Sequence, residues 1–191
     1  MAKSFSIEDS GTAILTTAEA KTHLKVDTSA DDTYIDNLVS AATQSAQIFT
    51  NRIFIDSVII QYGDTWNDIA TLFKSPVSDF DSITYYDSDN SLQTLASSVY
   101  ITDLVHQPAR IGLKPSQSFP TLADRINAVV VEYTVGYGSS AAFVPEGIKE
   151  AVLLTIGNWY ENRQEVVVGR IATELPKSAQ YLLEQFKVQT C

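Results

Sequence analysis

Apolar residues at Ile35, Leu38, Ala42, Ala46 and Phe49 are spaced by three or four, the period of one helix face. The pattern predicts a long helix ending near Thr50. Ser29 is its expected cap, with Asp31 and Asp32 in the first turn, where the helix dipole favours negative charge. Before it, Thr16-Thr17-Ala18-Glu19 has the form of a capping box, with Thr16 as N-cap and Glu19 three residues on. A short helix through Ala20, His23 and Leu24, closing near Val26, is predicted there. From Phe54 the period changes to two: Val58, Ile60 and Tyr62 alternate with Ile59 and Gln61. Ile83-Thr84-Tyr85-Tyr86 runs into the turn formers Asp87-Ser88-Asp89-Asn90. Val99–Thr102 and Arg110–Leu113 read as short strands. The clearest strand is Ala128–Val135, with Val129, Val131, Tyr133 and Val135 on one face.

Helical period returns after Val144-Pro145, where Pro145 suits the first helical position. Ile148, Ala151, Val152, Thr155, Ile156 and Trp159 make one stripe, and Leu153, Leu154 and Tyr160 extend it around the helix. A helix apolar on most sides is enclosed by neighbours, from its own chain or from another. A last helix from about Pro176 places Ala179, Leu182, Leu183 and Phe186 on one face. Val166-Val167-Val168-Gly169 between the two is an apolar loop or short strand. The fold class that follows is α+β: a small α-helical bundle with an antiparallel sheet lobe inserted between its second and third helices.

Composition narrows the partners. Among 191 residues, 13 are Lys or Arg and 23 are Asp or Glu, a formal net charge of −10. Residues 1–100 hold five of the basic groups and 14 of the acidic ones. A generic phosphate-gripping surface needs clustered cations and is not expected. Cys191 is the one cysteine, which excludes an intramolecular disulfide and a cysteine zinc site. No run approaches the roughly 18 apolar residues of a membrane span, and Met1–Phe5 lacks the apolar core of a secretory signal. A soluble protein of a reducing compartment is expected.

The candidate chemistry is thin. His23 falls within the first helix, and His106 lies in a loop with no Asp, Cys or second His at ligand spacing. Asp31 and Asp32 are accounted for as first-turn acids. Asp87–Asn90 lacks the glycine and glutamate that a calcium loop needs at its sixth and twelfth positions. Gly136-Tyr137-Gly138 follows a strand but completes no phosphate-loop pattern. No catalytic motif, metal site or cofactor site is nominated. Trp159, Tyr160 and Arg163 at the end of the apolar helix are residue types that dominate protein interfaces.

Leu15 to Asp27, then Asp31-Asp32 and Ile35, closely resembles the opening of the head–tail connector (adaptor) proteins of tailed double-stranded DNA phages. Ser82–Asp87, Leu92–Leu95 with Tyr100, and Asn127–Gly138 resemble the inserted sheet of one branch of that family. Val144 to Arg163, followed by Val168-Gly169, resembles its third major segment, in the family's order. Asn90 and Asn51 stand where members commonly carry glycine. The resemblance implies one connector domain over residues 1–191, with a helical core about 16–53 and 144–187 and a β lobe about 54–136. It implies a non-enzymatic structural protein of the virion neck, without cofactor or metal. Copies would form a homo-oligomeric ring, expected to be twelve-fold, below the portal protein. The ring would extend the DNA channel and present a platform for a stopper or tail-completion protein. Double-stranded DNA would pass without sequence-specific binding, and no membrane is involved.

Within that picture, Ile148, Val152, Ile156, Trp159, Tyr160 and Arg163 are the candidate subunit interface, with the Ile35–Phe49 helix beside them. Leu182, Leu183, Phe186 and Lys187 are the candidates for portal docking. Acidic side chains are expected to outnumber basic ones on the channel wall, because each gripped phosphate would slow transit. A small β-rich binding or adhesion module is the alternative class. It accounts for the tyrosines and the sheet but not for the two long helical segments.

Overall fold

The computed structural model describes residues 4–8, 13–162 and 175–188. Four helices make one layer: α1 (Thr17–Leu24), α2 (Asp32–Thr50), α3 (Glu146–Glu161) and α4 (Lys177–Glu184). Between α2 and α3 the chain forms β2 (Ser57–Gly63), β3 (Val77–Tyr86), β4 (Leu92–Thr94), β5 (Tyr100–Asp103), β6 (Arg110–Leu113) and β7 (Val129–Val135). A strand at the N-terminus, β1 (Ser4–Glu8), joins them to give an antiparallel sheet of order β1-β2-β7-β3-β4, while β5 and β6 pair separately. The α+β class and the insertion between the second and third helices are as the pattern predicts. Neither β1 nor β4 is signalled by alternation, and β3 extends well before Ile83.

The capping box of α1 forms as expected: the Glu19 N–H donates to Thr16 Oγ1 at 3.2 Å, and the Thr16 N–H donates to Glu19 Oε2 at 2.7 Å. At α2 the expected cap is replaced. Ser29 closes a preceding turn by accepting the Asp32 N–H at 3.3 Å, and Asp31 holds the N-cap position without a side-chain cap. The two carboxylates instead tie helices together. Asp31 accepts the Tyr160 hydroxyl at 2.7 Å, and Asp32 pairs with Lys21 at 2.6 Å. The far end of α2 closes at Asn51, which is left-handed at φ 54. Asn90 in the β3–β4 turn is left-handed at φ 58. Both asparagines therefore adopt the conformation that glycine supplies most cheaply, and asparagine tolerates it better than most residues.

The core falls into two clusters. In the helical layer α3 lies among α1, α2 and α4, and Ile148, Ala151, Val152, Thr155 and Ile156 are all fully buried. The enclosure of that helix is thus supplied by its own chain. Thr155 satisfies its hydroxyl by donating to the Ala151 carbonyl at 2.8 Å. In the sheet lobe one face, carrying Ile59, Gln61, Ile83, Val131 and Tyr133, is covered by Ile69, Leu72, Ala109 and Ile111 from the connections.

Gln61 organises this second cluster. Its amide donates to the carbonyls of Asp68 (3.3 Å) and Thr71 (3.0 Å), and its oxygen accepts the Phe73 N–H and the Tyr133 hydroxyl at 3.1 Å each. Burial pushes the Tyr133 phenol far above its ordinary pKa, so it remains a donor at any working pH.

The layers join where the sheet exits. Tyr137 donates its N–H to the Phe54 carbonyl, and Asp56 donates to Gly138. Gly136 sits at φ 151, and a Cβ there would lie 2.5 Å from the Asp56 nitrogen, so only glycine fits. The Gly136-Tyr137-Gly138 segment is a packed junction.

Candidate functional site

The described residues carry no group of three His, Cys, Asp or Glu side chains able to hold a metal ion. His23 is exposed on α1. His106 is exposed in the β5–β6 loop, with its ring nitrogen Nδ1 2.8 Å from the Pro108 carbonyl and its N–H donated to Asp103. Asp87 uses its carboxylate to hold the β3–β4 turn, accepting from the N–H groups of Ser91 and Asp89 and from the Gln93 amide. Those donors, the Ser91 N–H foremost, keep its carboxyl below the usual aspartate range. It is a turn-former, as the spacing indicates. No helix among the described residues is long and apolar enough to cross a membrane.

What the surface offers is contact. Of the candidate interface residues, Ile148, Val152 and Ile156 are 0% exposed, held within the chain's own helical core. This corrects their assignment: their stripe is satisfied by α1, α2 and α4 before any second copy arrives. Trp159 and Tyr160 are half-buried against the same cluster. Tyr160 spends its hydroxyl on Asp31 and packs its ring 6.1 Å from Tyr34. Arg163 lies outside the described residues, as does Val166–Gly169.

Of the docking candidates, Leu183 is buried and pins α4 to the core, which leaves it no surface to present. Leu182 and Phe186 are half-buried and Lys187 is exposed. Lys187 lies over the Phe49 ring at 4.9 Å, with Glu184 3.8 Å away. The chain after α4 is fastened to the end of α2 by the Val188 N–H, which donates to the Thr50 carbonyl at 2.9 Å.

Arg52 is a hub that the pattern of apolar positions does not reveal. Its guanidinium donates to the Phe186 carbonyl and to the Gln107 side chain, and it faces the Tyr137 ring at 5.9 Å. One side chain thereby links α2, the β5–β6 loop, the sheet exit and the chain after α4. The large exposed apolar residues were also missed. Ile48 on α2 is 73% exposed, and Val105 in the β5–β6 loop is 92% exposed. Ile48 was findable, because it stands off the stripe made by Leu38, Ala42, Ala46 and Phe49.

Beside Ile48 a groove of about 690 Å³ opens between α2 and the β1 side of the sheet lobe. Its described lining includes Asn37, Ser40, Gln44, Ile7, Arg52 and Lys74, and no carboxylate. On the other side of the sheet, Val58, Ile60, Tyr62 and Val130 are half-buried and belong to neither hydrophobic cluster.

Solved structures with this fold exist. The chain superposes on one chain of the neck of an empty GTA (gene transfer agent) particle, determined with C6 symmetry. The TM-score is 0.74 at 19% identity, covering 97% of each chain. A chain of the virion of a native GTA particle gives a TM-score of 0.75 at 19% identity, covering 97% of this chain and 96% of that one. A chain of the native GTA neck, determined with C12 symmetry, gives 0.68 at 19% identity over 100% of this chain and 97% of that one. No curated protein sequence matches the chain. A family model matches residues 15–114, a span from the α1 capping box to the end of β6 that exceeds half the chain. By that match, the chain belongs to the phage gp6-like head-tail connector protein family.

Proposed function

We propose that copies of this chain close into a twelve-fold ring in the neck of a tailed phage-type particle, between the portal protein and a stopper or tail-completion protein. In this role the ring lengthens the path of the DNA and performs no catalysis. The reading rests chiefly on the family match, supported by the likeness to GTA neck chains over nearly the whole length. It treats residues 1–191 as a single connector domain, with the helical layer as its frame and the β lobe as an arm.

The helical layer suits a load-bearing part, since its core is complete within one copy and assembly need not create it. Leu182, Phe186 and Lys187 are the surface residues of the α4 region offered to the portal, with Leu183 holding that helix in place. Acidic side chains should outnumber basic ones where the ring faces DNA, in keeping with the −10 net charge.

The test is native mass spectrometry and electron microscopy of the purified protein mixed with the portal of the same particle. A ring of twelve times 21.0 kDa on the portal is the expected result. A protein indifferent to portal that instead binds glycans would overturn the reading in favour of an adhesion module.

A further inference from the structure

A ring closed by rotation needs a heterologous contact, in which two different patches of one molecule fit each other across the seam. Two patches of this chain meet that requirement. The first is the groove beside α2. Ile48 and Ile7, at 73% and 42% exposure, are large apolar residues open to solvent there. Arg52 stands at its end, and the acceptors it engages among the described residues are neutral: a carbonyl, an amide oxygen and an aromatic ring. No carboxylate among the described residues therefore pairs with its positive charge.

The second patch is the open face of the sheet. Val58, Ile60 and Tyr62 lie in a row along β2, with Val130 beside Tyr62 on β7. The α-helices pack on one another, and among the described residues none packs broadly on a strand of the sheet. One end of it is acidic: Glu132 lies opposite Ile60 and Ser82, Asp79 lies opposite Thr134, and Asp81 accepts the Thr134 hydroxyl at 3.4 Å. None of these three carboxylates has a cationic partner among the described residues.

The patches lie on opposite sides of the sheet. Ile7, the β1 residue that lines the groove, is in register with Ile59, which places its side chain on the covered face. Val58, Ile60 and Tyr62 project from the other. Opposite sides, opposite charge and an apolar centre in each are what a head-to-tail contact needs. A sheet of five strands about 4.8 Å apart, the longest about 20 Å or more and β4 much shorter, offers at most roughly 500 Å² in projection, the small end for one side of an interface.

We propose that the seam is made by the open sheet face of one copy seating on the α2 groove of the next. This rests on the ring reading above and names the surfaces that close it.

Two variants at exposed positions test it without touching either core. Ile48→Asp blocks the groove and keeps the sheet face. The double change Asp79→Lys with Glu132→Lys reverses the sheet face and keeps the groove. Unchanged circular dichroism and melting temperature establish that both are folded. Sedimentation is then followed from micromolar to millimolar concentration. Each variant alone should lose self-association by at least tenfold. Mixed, they should form one-to-one pairs that grow no further, because each supplies the patch that the other lacks.

If wild type and both variants form rings alike, the seam lies elsewhere and the ring reading stands. If the groove variant alone fails, the sheet face is not its partner and the proposal falls. If the wild-type chain stays monomeric up to millimolar concentration, the same proteins are assembled on the portal, where rings formed equally by wild type and both variants overturn the seam.

Discussion

The helical layer and the sheet lobe solve the same burial problem in different ways. Around α3 the core is apolar, and its fully buried polar residues are threonines that bond back to their own helix, Thr155 to Ala151 and Thr50 to Ala46. The sheet lobe has one covered face, and that face is built around a fully buried glutamine. Gln61 and Tyr133 reach carbonyls and an N–H of the β2–β3 connection that no strand would satisfy. The helical layer needs only size and shape to match. The lobe also needs particular donors and acceptors, because its connection is folded onto the sheet and its backbone groups must be paired. The difference separates a frame whose central helix is enclosed by its own chain from an arm with one sheet face on which no described α-helix packs.

If that contrast is right, the largest loss comes from a void in the frame. Ile156→Ala should cost about 2–5 kcal/mol in denaturant unfolding, since α3 is enclosed and its surroundings can collapse little. A loss well under 1 kcal/mol would mean that α3 gets its cover from a second copy after all. The lobe should instead be sensitive to polarity at constant size. Gln61→Leu removes both amide donors, leaving the Asp68 and Thr71 carbonyls buried without them, and should cost about 2–4 kcal/mol. Tyr133→Phe should cost about 1 kcal/mol, because the Phe73 N–H keeps Gln61 as a partner. Equal effects of the two lobe variants would refute the central place given to Gln61.

The same contrast explains what could be read in advance. Periodic stripes are visible wherever burial is one-sided and local, so α2, α3, α4 and β7 were legible, as was the turn at Asp87–Asn90. The stripe of α3 does not say whose atoms cover it, and a sequence cannot separate an internal neighbour from a second copy. That is why Ile148, Val152 and Ile156 read as an interface. The cap of α2 was misplaced because Asp31 is used by Tyr160, 129 residues away, a partner no local pattern contains. Strands β1 and β4 are short and lie at the sheet edges, where alternation has little length in which to appear. Arg52 was invisible for the same reason as Asp31: its partners at Gln107 and Phe186 are distant in sequence.

A similarly small effect is expected at the edge of the frame, where a local motif works alone. Thr16→Ala should cost about 1 kcal/mol by unpairing the Glu19 N–H in the first turn of α1. The reciprocal half of the box is titratable. The Thr16 N–H, and then its hydroxyl, hold the Glu19 carboxyl below its ordinary value of 4.5. A carboxylate with a lowered folded-state pKa stabilises the fold above its unfolded pKa, and that contribution is lost as the pH falls through the folded value. The stability gap between wild type and Glu19→Gln should therefore be constant near neutrality and shrink below about pH 4.5. Melting temperatures of the two proteins across that range read the gap directly. A gap that widened in acid would mean that Glu19 is stabilised in its protonated form, and that α1 is capped by some other arrangement.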